Sequence, residues 1–192
     1  MRKRHLLSAA AGAALLIAAG CTTTTAQKGT EDPAAHRRRI DAASEAALTK
    51  LYAQAAGSRE LVAKARGVLV FPEVISAGFV VGGSYGEGEL RARGRTGGYY
   101  KVVSGAVGLL AGAQSRAVFL LFMTQDSLDK FEASNGWTAG VDASVAVAQV
   151  GANGEVDTRT MQAPVVGFVL TNVGLMATLS LEGTRFIKAD IE

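Results

Sequence analysis

Enzymes most often use histidine or cysteine for chemistry, and this chain has few of either. Its 192 residues include two histidines, His5 and His36, and one cysteine, Cys21. His5 lies in an N-terminal apolar segment and His36 lies in or beside a polar stretch, so we expect neither in a folded core. Ser-His-Asp catalysis and a histidine metal site are thereby excluded from the core, and we expect no catalytic residue and no metal ligand.

Carboxylates could carry out acid–base chemistry without histidine. Four acids lie among strand-like or turn segments: Glu73, Glu87, Glu89 and Asp142. Sequence spacing does not determine how far apart such side chains lie, and solvated or ion-paired acids are the more common case. A hydrolase with paired carboxylates is therefore the weakest of three functional hypotheses, and we expect a protein that is not an enzyme.

The glycines of GGSYGEG, residues 82–88, could suggest a phosphate-binding loop. Their spacing matches neither GxGxxG nor GxxxxGK, and Glu87 places an acid inside the segment. We predict a turn between strands at this point, and we expect no nucleotide or other cofactor.

The single cysteine ends an apolar segment, LLIAAGCTTTT at residues 15–25. Basic residues 2–4 precede an apolar run shorter than the roughly 20 residues that a transmembrane helix needs, which is the layout of a secretory signal. Residues 18–21, AAGC, resemble the lipobox of bacterial lipoproteins, with alanine where leucine is usual. We expect cleavage before Cys21 and acylation of its thiol, by either the Sec or the twin-arginine route.

These features divide the chain into a signal peptide at 1–20, a lipidated tether at 21–33 and a single domain at 34–192. The chain has 20 Lys plus Arg and 17 Asp plus Glu, and loss of the three signal cations leaves 17 of each sign. Without an overall basic field we expect no nucleic-acid partner. Because Thr22 is not the aspartate that commonly retains lipoproteins at the inner membrane, we expect anchoring at the periplasmic face of the outer membrane.

A first arginine cluster, Arg37, Arg38 and Arg39, lies at the start of the first predicted helix. Positive charge there opposes the helix dipole, and anionic lipid headgroups would compensate for it. The alternative is a solvated charge run that follows a tether.

A second cluster, Arg91, Arg93 and Arg95, alternates along a predicted strand, so the first two share a face and Arg95 continues it if the strand extends that far. Unpaired guanidinium groups on one face would suit phosphate recognition. The alternative is pairing with acids on neighbouring strands, Glu87 and Glu89 among them.

The elements that position these residues follow from hydrophobic periodicity and glycine placement. Apolar spacing predicts a helix over 34–56 that Gly57 ends, and then a short helix capped by Ser58 that stops at Gly67. Thr124 caps a third predicted helix near 125–134.

Short runs of branched and aromatic residues predict strands between and after these helices: GVLVFP, AGFVVGG, GELRARG, GYYKVV, VGLLAG, RAVFLLF, ASVAVAQV and TRFIK. The segment VVGFVLTNVGLMATLSLEG predicts a hairpin, and Pro72 is expected at a strand end or edge because it has no N–H. The order favours an α+β fold, with N-terminal helices packed on a strongly curved antiparallel sheet or partial barrel.

Several uncommon strings resemble those of the SYLF domain family, in the same order, from about residue 34 to the C-terminus. They are KARGVLVFPEVISAGFVVGGSYGEGELRARGRTGGYYKVVSGAVGLLAGAQS, FMTQDSLDKF, GWTAGVDASVAV and APVVGFVLTNVGLMATLSLEGTRF. The resemblance implies lipid binding, since eukaryotic members bind phosphoinositide membranes, partly through a basic amphipathic helix, and some bind actin. Bacterial members resemble envelope proteins, for which only the lipid-binding property is pertinent.

The leading hypothesis is a non-enzymatic, acyl-anchored envelope domain that binds anionic phospholipid through the first arginine cluster, with the second as a further contact. The alternative is a structural or assembly module that binds another envelope protein through a sheet edge or an apolar patch.

Overall fold

The predicted α+β organisation is present in the computed structural model, which describes residues 32–78, 81–107, 112–148, 162–171, 174–175 and 180–191. Residues Glu31–Glu192 make one compact unit that holds every element given below. The predicted signal peptide, most of the predicted tether and the lipidation site Cys21 lie outside the described residues, and they stay predictions.

Three helices are described: α1 at Pro33–Gln54, α2 at Ser58–Lys64 and α3 at Gln125–Ala133. Asp32 caps α1 by accepting a hydrogen bond from the backbone N–H of Ala35 at 3.2 Å. Thr124 caps α3 as predicted. None of the described helices is both long enough and apolar enough to cross a membrane.

The helix boundaries differ from prediction at two glycines. Gly57 does not end α1, which already ends at Gln54; its φ of 81° makes the turn into α2. Gly67 does not end α2 either, because it is the first residue of a strand.

The described residues form nine strands: β1 Gly67–Gly78, β2 Val81–Ala92, β3 Arg95–Val107, β4 Gly112–Phe122, β5 Trp137–Thr138, β6 Ala146–Val147, β7 Val165–Thr171, β8 Gly174–Leu175 and β9 Arg185–Ala189. They make one sheet in the order β5-β9-β3-β2-β1-β4-β7-β6, with β8 paired to β7. Every pair is antiparallel except β6 with β7. The sheet curls into a half-barrel, so the predicted curved sheet is confirmed and its one parallel pair makes it mixed.

Pro72 lies in the middle of β1, so its expected place at a strand end or edge is wrong. The register of β1 shifts between Val70 and Glu73 opposite β2, and between Phe71 and Val74 opposite β4. This bulge removes the need for the N–H that proline lacks, which is how a central strand accommodates it.

The predicted turn at residues 82–88 is also wrong, because the segment lies inside β2. Its glycines let β2 approach the bulge of β1: a Cβ on Gly88 would lie 2.1 Å from the carbonyl oxygen of Val70, and one on Gly86 would lie 2.6 Å from that of Glu73. Close backbone contact, rather than a turn or a phosphate loop, accounts for these two residues.

The sheet has an outer face under α1 and α2 and an inner, concave face that packs on α3. The rings of Phe71 and Phe186 lie 5.5 Å apart although β2 and β3 separate their strands, which shows how tightly the sheet curls. The inner core includes Leu69, Phe71, Leu90, Val118, Leu120, Phe122, Leu128, Phe131 and Trp137. The outer core includes Leu48, Leu51, Leu61, Val68, Val70, Phe119, Leu121 and Phe168.

Beyond the start of α1 the four long strands continue as what we call the open half of the sheet: residues 75–78, 81–86, 103–107 and 112–116. Among the side chains that the structure describes in this half, only that of Ser76 is buried, at 7% exposed. Three of the large hydrophobic side chains that the domain exposes lie in this half: Ile75, Val81 and Tyr85.

Candidate functional site

The start of α1 and the open half of the sheet meet in a groove of about 190 Å³. Arg39, Ile40 and Ala43 line one side of it, and Pro72, Glu73, Ile75, Tyr85, Gly86 and Glu87 line the other. Ile75 and Tyr85 are cross-strand partners, and they are 51% and 49% exposed. The groove therefore places an arginine opposite a pair of exposed apolar side chains.

A hydrogen-bond network fixes α1 against this groove. Tyr85 donates its hydroxyl to Oε1 of Glu87 at 2.7 Å, and Nε2 of His36 lies 2.7 Å from Oε2 of the same carboxylate. Burial would raise the pKa of Glu87, but the hydrogen bonds with Tyr85 and His36 and the charges of His36 and Lys101 lower it. Burial and the bond to Glu87 raise the pKa of Tyr85 to about 12.

No pattern in the sequence predicted this network. His36 was expected in or beside the tether, but it belongs to α1 and its side chain is only 22% exposed. The 51 residues that separate His36 from Glu87 left no local signal of the contact.

The first arginine cluster lies at the start of α1, as predicted, and all three residues are exposed. Arg37 donates to the carbonyl oxygen of Ile191, and Arg38 is 4.0 Å from the carboxylate of Asp32. Arg39 lines the groove. Because successive helix residues are about 100° apart, the three side chains fan around the helix start.

Arg91, from the second cluster, lies on the outer face beneath α1 and is paired with acids. Its Nε donates to Glu89 at 2.8 Å, its Nη1 to Glu45 at 2.5 Å and its Nη2 to the carbonyl oxygen of Asp41 at 3.2 Å. Glu89 is fully buried and also accepts from Thr96 at 3.0 Å. Burial would lower the pKa of Arg91, but the bonds to Glu45 and Glu89 raise it. Arg91 thus ties α1 to β2.

The expected alternation of Arg91, Arg93 and Arg95 along one strand is wrong. β2 ends at Ala92, Arg93 and Gly94 form a two-residue turn with φ values of 54° and 76°, and β3 begins at Arg95. A two-residue hairpin with two positive φ values matches the twist of the strands, and it turns the chain before a third position can share the face.

Arg93 nevertheless shares a cavity of about 480 Å³ with Arg91 and Arg66. This cavity lies at the opposite end of β2 from the groove: Tyr85 and Arg93 are eight residues apart, roughly 25 Å along an extended strand. The two arginine clusters therefore do not combine into one patch, and their predicted roles in lipid binding stay separate predictions.

The four candidate acids have separate partners. Glu73 accepts from Ser115 at 3.1 Å, and Asp142 accepts from the backbone N–H of Thr138 at 2.5 Å, while Glu87 and Glu89 are engaged as above. Across the part of the chain that the structure describes, no cluster of three or more His, Cys, Asp or Glu side chains could hold a metal ion.

Comparison with known proteins gives one family match. Residues 103–191 match the family model described as Ysc84: Las17-binding protein actin regulator. The matched part begins within β3 and includes α3 and all later strands, whereas α1, the groove and β2 precede it. A search of curated proteins found no match.

Proposed function

Because this chain belongs to the Ysc84 (SYLF) family through residues 103–191, we propose that it is a non-enzymatic, lipid-anchored envelope protein whose domain binds anionic phospholipid. The family description names Las17 binding and actin regulation for its members. We carry neither over, because the proposed export signal places this domain outside the compartment that holds actin.

The groove at the start of α1 is the observation that carries the proposal. Arg39 lies across the groove from the apolar pair Ile75 and Tyr85, and basic and apolar side chains together are what an anionic membrane surface recognises. The groove also contains the acids Glu73 and Glu87, each of which is held by hydrogen bonds within the protein. Each basic residue near such a surface contributes about 1 kcal/mol, and apolar side chains add to this when they enter the interface.

The proposed anchor would localise the domain at the membrane. Residues 22–32 link Cys21 to the N-terminus of α1, and eleven extended residues reach at most about 40 Å. An acyl chain on Cys21 would therefore keep the start of α1 within about 40 Å of the bilayer. The second contact then orients a domain that the anchor already localises, at the periplasmic face of the outer membrane in this proposal.

Insertion of α1 itself is not part of the proposal. The apolar face of the helix is buried: Leu48 and Leu51 lie in the outer core, at 4% and 0% exposed, and Ile40 near the helix start is 3% exposed. The helix contributes its basic start, and the apolar contact comes from the open half of the sheet.

A domain that assembles with another envelope protein is the competing function. Among the described strands, the two at the ends of the sheet path, β5 and β6, have two residues each, so they offer few backbone groups for pairing. In the open half, however, β3 after Val103 and β4 before Ala117 have no second described neighbour, so an assembly partner would pair with these edges or bind the exposed apolar surface. Vesicle binding decides between the two functions.

The test uses the chain from residue 21 onward with Cys21→Ser, so that no acyl group contributes. It should cosediment with anionic vesicles and not with neutral ones, and salt should weaken binding because the screening length is about 8 Å at physiological ionic strength. Changing Arg37, Arg38 and Arg39 together to Gln should remove up to about 3 kcal/mol, more than a hundredfold in affinity, if all three side chains reach the membrane surface.

A matched control changes Lys64, Lys130 and Lys188 to Gln, three exposed cations that do not line the groove. It has the same loss of charge and should keep most of the affinity. If both triple variants lost the same affinity for anionic vesicles, the binding would be unspecific charge attraction and not recognition by the groove. If the wild-type chain ignores anionic vesicles, the assembly function takes precedence.

A further inference from the structure

A row of polar side chains crosses the inner face of the open half. Gln114, Ser76, Ser84 and Ser104 are successive cross-strand partners on β4, β1, β2 and β3. Ser76 lies two positions after Val74, a member of the inner core, so its side chain is on the inner face. Its cross-strand partners lie on the same face. We call these four residues the serine row.

Arg116 lies on the inner face beside the serine row, as the cross-strand partner of Val74. Its Nη1 donates to the hydroxyl of Ser76 at 2.8 Å and its Nη2 to that of Ser84 at 3.3 Å. The two hydroxyl oxygens are 2.7 Å apart. The Nε of Arg116 is buried and has no hydrogen-bond partner.

Arg116 carries a charge that its surroundings do not neutralise. Among the described ion pairs none includes Arg116, and burial alone lowers its pKa. Serine hydroxyls supply dipoles but no negative charge. A half-buried guanidinium without an anion is unfavourable unless something else offsets its lost hydration.

Arg91 is an arginine with a structural role in the same fold, and it offers a comparison. On the outer face its Nε bonds to a buried carboxylate and its Nη1 to a second one. Arg116 has a comparable position within the sheet, yet its two recorded partners are neutral. The difference indicates a missing anionic partner.

We propose that Arg116 and the serine row bind one tetrahedral phosphate-type oxyanion on the inner face of the open half. In a planar guanidinium, the Nε–H and one N–H of Nη2 lie along the same edge, which matches two oxygens of a phosphate. On that edge of Arg116, Nε has no hydrogen-bond partner and Nη2 makes the longer of the two bonds to serine, at 3.3 Å to Ser84. Ser104 and the exposed Gln114 lie along the row and can donate to the remaining oxygens.

The phosphate could belong to a lipid headgroup or to a small soluble molecule, which present the same chemistry to the arginine. The site lies on the opposite face of the sheet from the groove at the start of α1, so it does not depend on the function proposed above. It belongs to the same open half, so both sites can contact one membrane surface.

The experiment follows the arginine Nε–H resonances by NMR in the chain from residue 21 onward with Cys21→Ser. Inorganic phosphate and glycerol 3-phosphate are titrated first, and small anionic vesicles afterwards. The Arg116 resonance should shift saturably. The Arg91 resonance is an internal control and should stay in place, because its Nε is already bonded to Glu89 at 2.8 Å.

Two pairs of variants test the chemistry. Arg116→Lys keeps the charge but loses the planar fork, and it should weaken binding about tenfold, whereas Arg59→Lys on α2 should have no effect. Ser104→Ala should weaken binding roughly threefold. Ser115→Ala removes a hydroxyl from the outer face of β4, where it bonds Glu73, and should leave binding unchanged.

Each outcome has one reading. A response to soluble phosphates identifies a site that accepts free phosphate compounds, and a response to vesicles alone identifies a headgroup site. No shift of the Arg116 resonance in either arm, or equal affinity of wild type and Arg116→Lys, overturns the proposal. Loss of vesicle binding in the Arg37–Arg39 variant with an intact Arg116 response rejects neither inference.

Discussion

The long strands behave differently in their two halves. In the half beneath α1, residues 67–71 of β1 are all buried, and the charge of Arg91 is balanced by Glu89 and Glu45. In the open half, apolar side chains are exposed on the outer face and Arg116 has only neutral partners on the inner one. The covered half stabilises the fold, and the open half keeps the unsatisfied groups with which a ligand would interact.

The largest difference should appear in stability. Leu69 and Ile75 both lie on β1, but Leu69 is fully buried and Ile75 is 51% exposed, so Leu69→Ala should cost about 2 to 5 kcal/mol and Ile75→Ala less than about 1 kcal/mol. Urea unfolding measures both. If the two costs were similar, the division of the sheet into a structural half and a binding half would fail.

Removing a charged partner should also change the free energy of unfolding differently in the two halves, but by less than the core substitution does. Glu89→Gln leaves Arg91 without its buried partner, and we expect the free energy of unfolding to fall by about 2 kcal/mol. This is less than the cost for a fully buried pair, because Arg91 is partly exposed. Arg116→Gln removes an uncompensated charge and should be neutral or slightly stabilising. A stability loss in Arg116→Gln as large as that in Glu89→Gln would mean that Arg116 has a structural role.

The stability that Glu87 contributes at the boundary between the two halves should depend on pH. The folded state lowers the pKa of Glu87, so its contribution to stability is fully present above the unfolded pKa of about 4.3 and is lost as pH falls through the lower folded value. Glu87→Gln should lack this part of the acid dependence. Unfolding curves between pH 3 and 6 test it, and identical slopes in both proteins would count against the His36–Glu87–Tyr85 network.

Local sequence patterns predicted what local physics determines. Apolar spacing predicted a helix over residues 34–56, and α1 buries Ile40, Leu48 and Leu51 there, while Thr124 identified the cap of α3. Strand-like composition and helix order were enough for the α+β class. Each of these features depends on residues within a few positions of one another.

The features that the sequence did not predict depend on long-range register. Pro72 is accommodated in a central strand only because β2 supplies Gly88 opposite the bulge. The turn at Arg93 and Gly94 is an exception, because it is local and Gly94 could have indicated it. The contact between His36 and Glu87 spans 51 residues. No window of the sequence contains both partners of such contacts.

The most direct test of the account asks which half faces a membrane. In the Cys21→Ser background, which has no other cysteine, an environment-sensitive fluorophore is attached to Val81→Cys in the open half or to Gln54→Cys at the far end of α1; both positions are exposed. With anionic vesicles, the Val81→Cys label should shift to the blue and become protected from aqueous quencher, while the Gln54→Cys label should not change. Protection at Gln54→Cys instead, or at neither position while the protein cosediments, would contradict the proposed orientation.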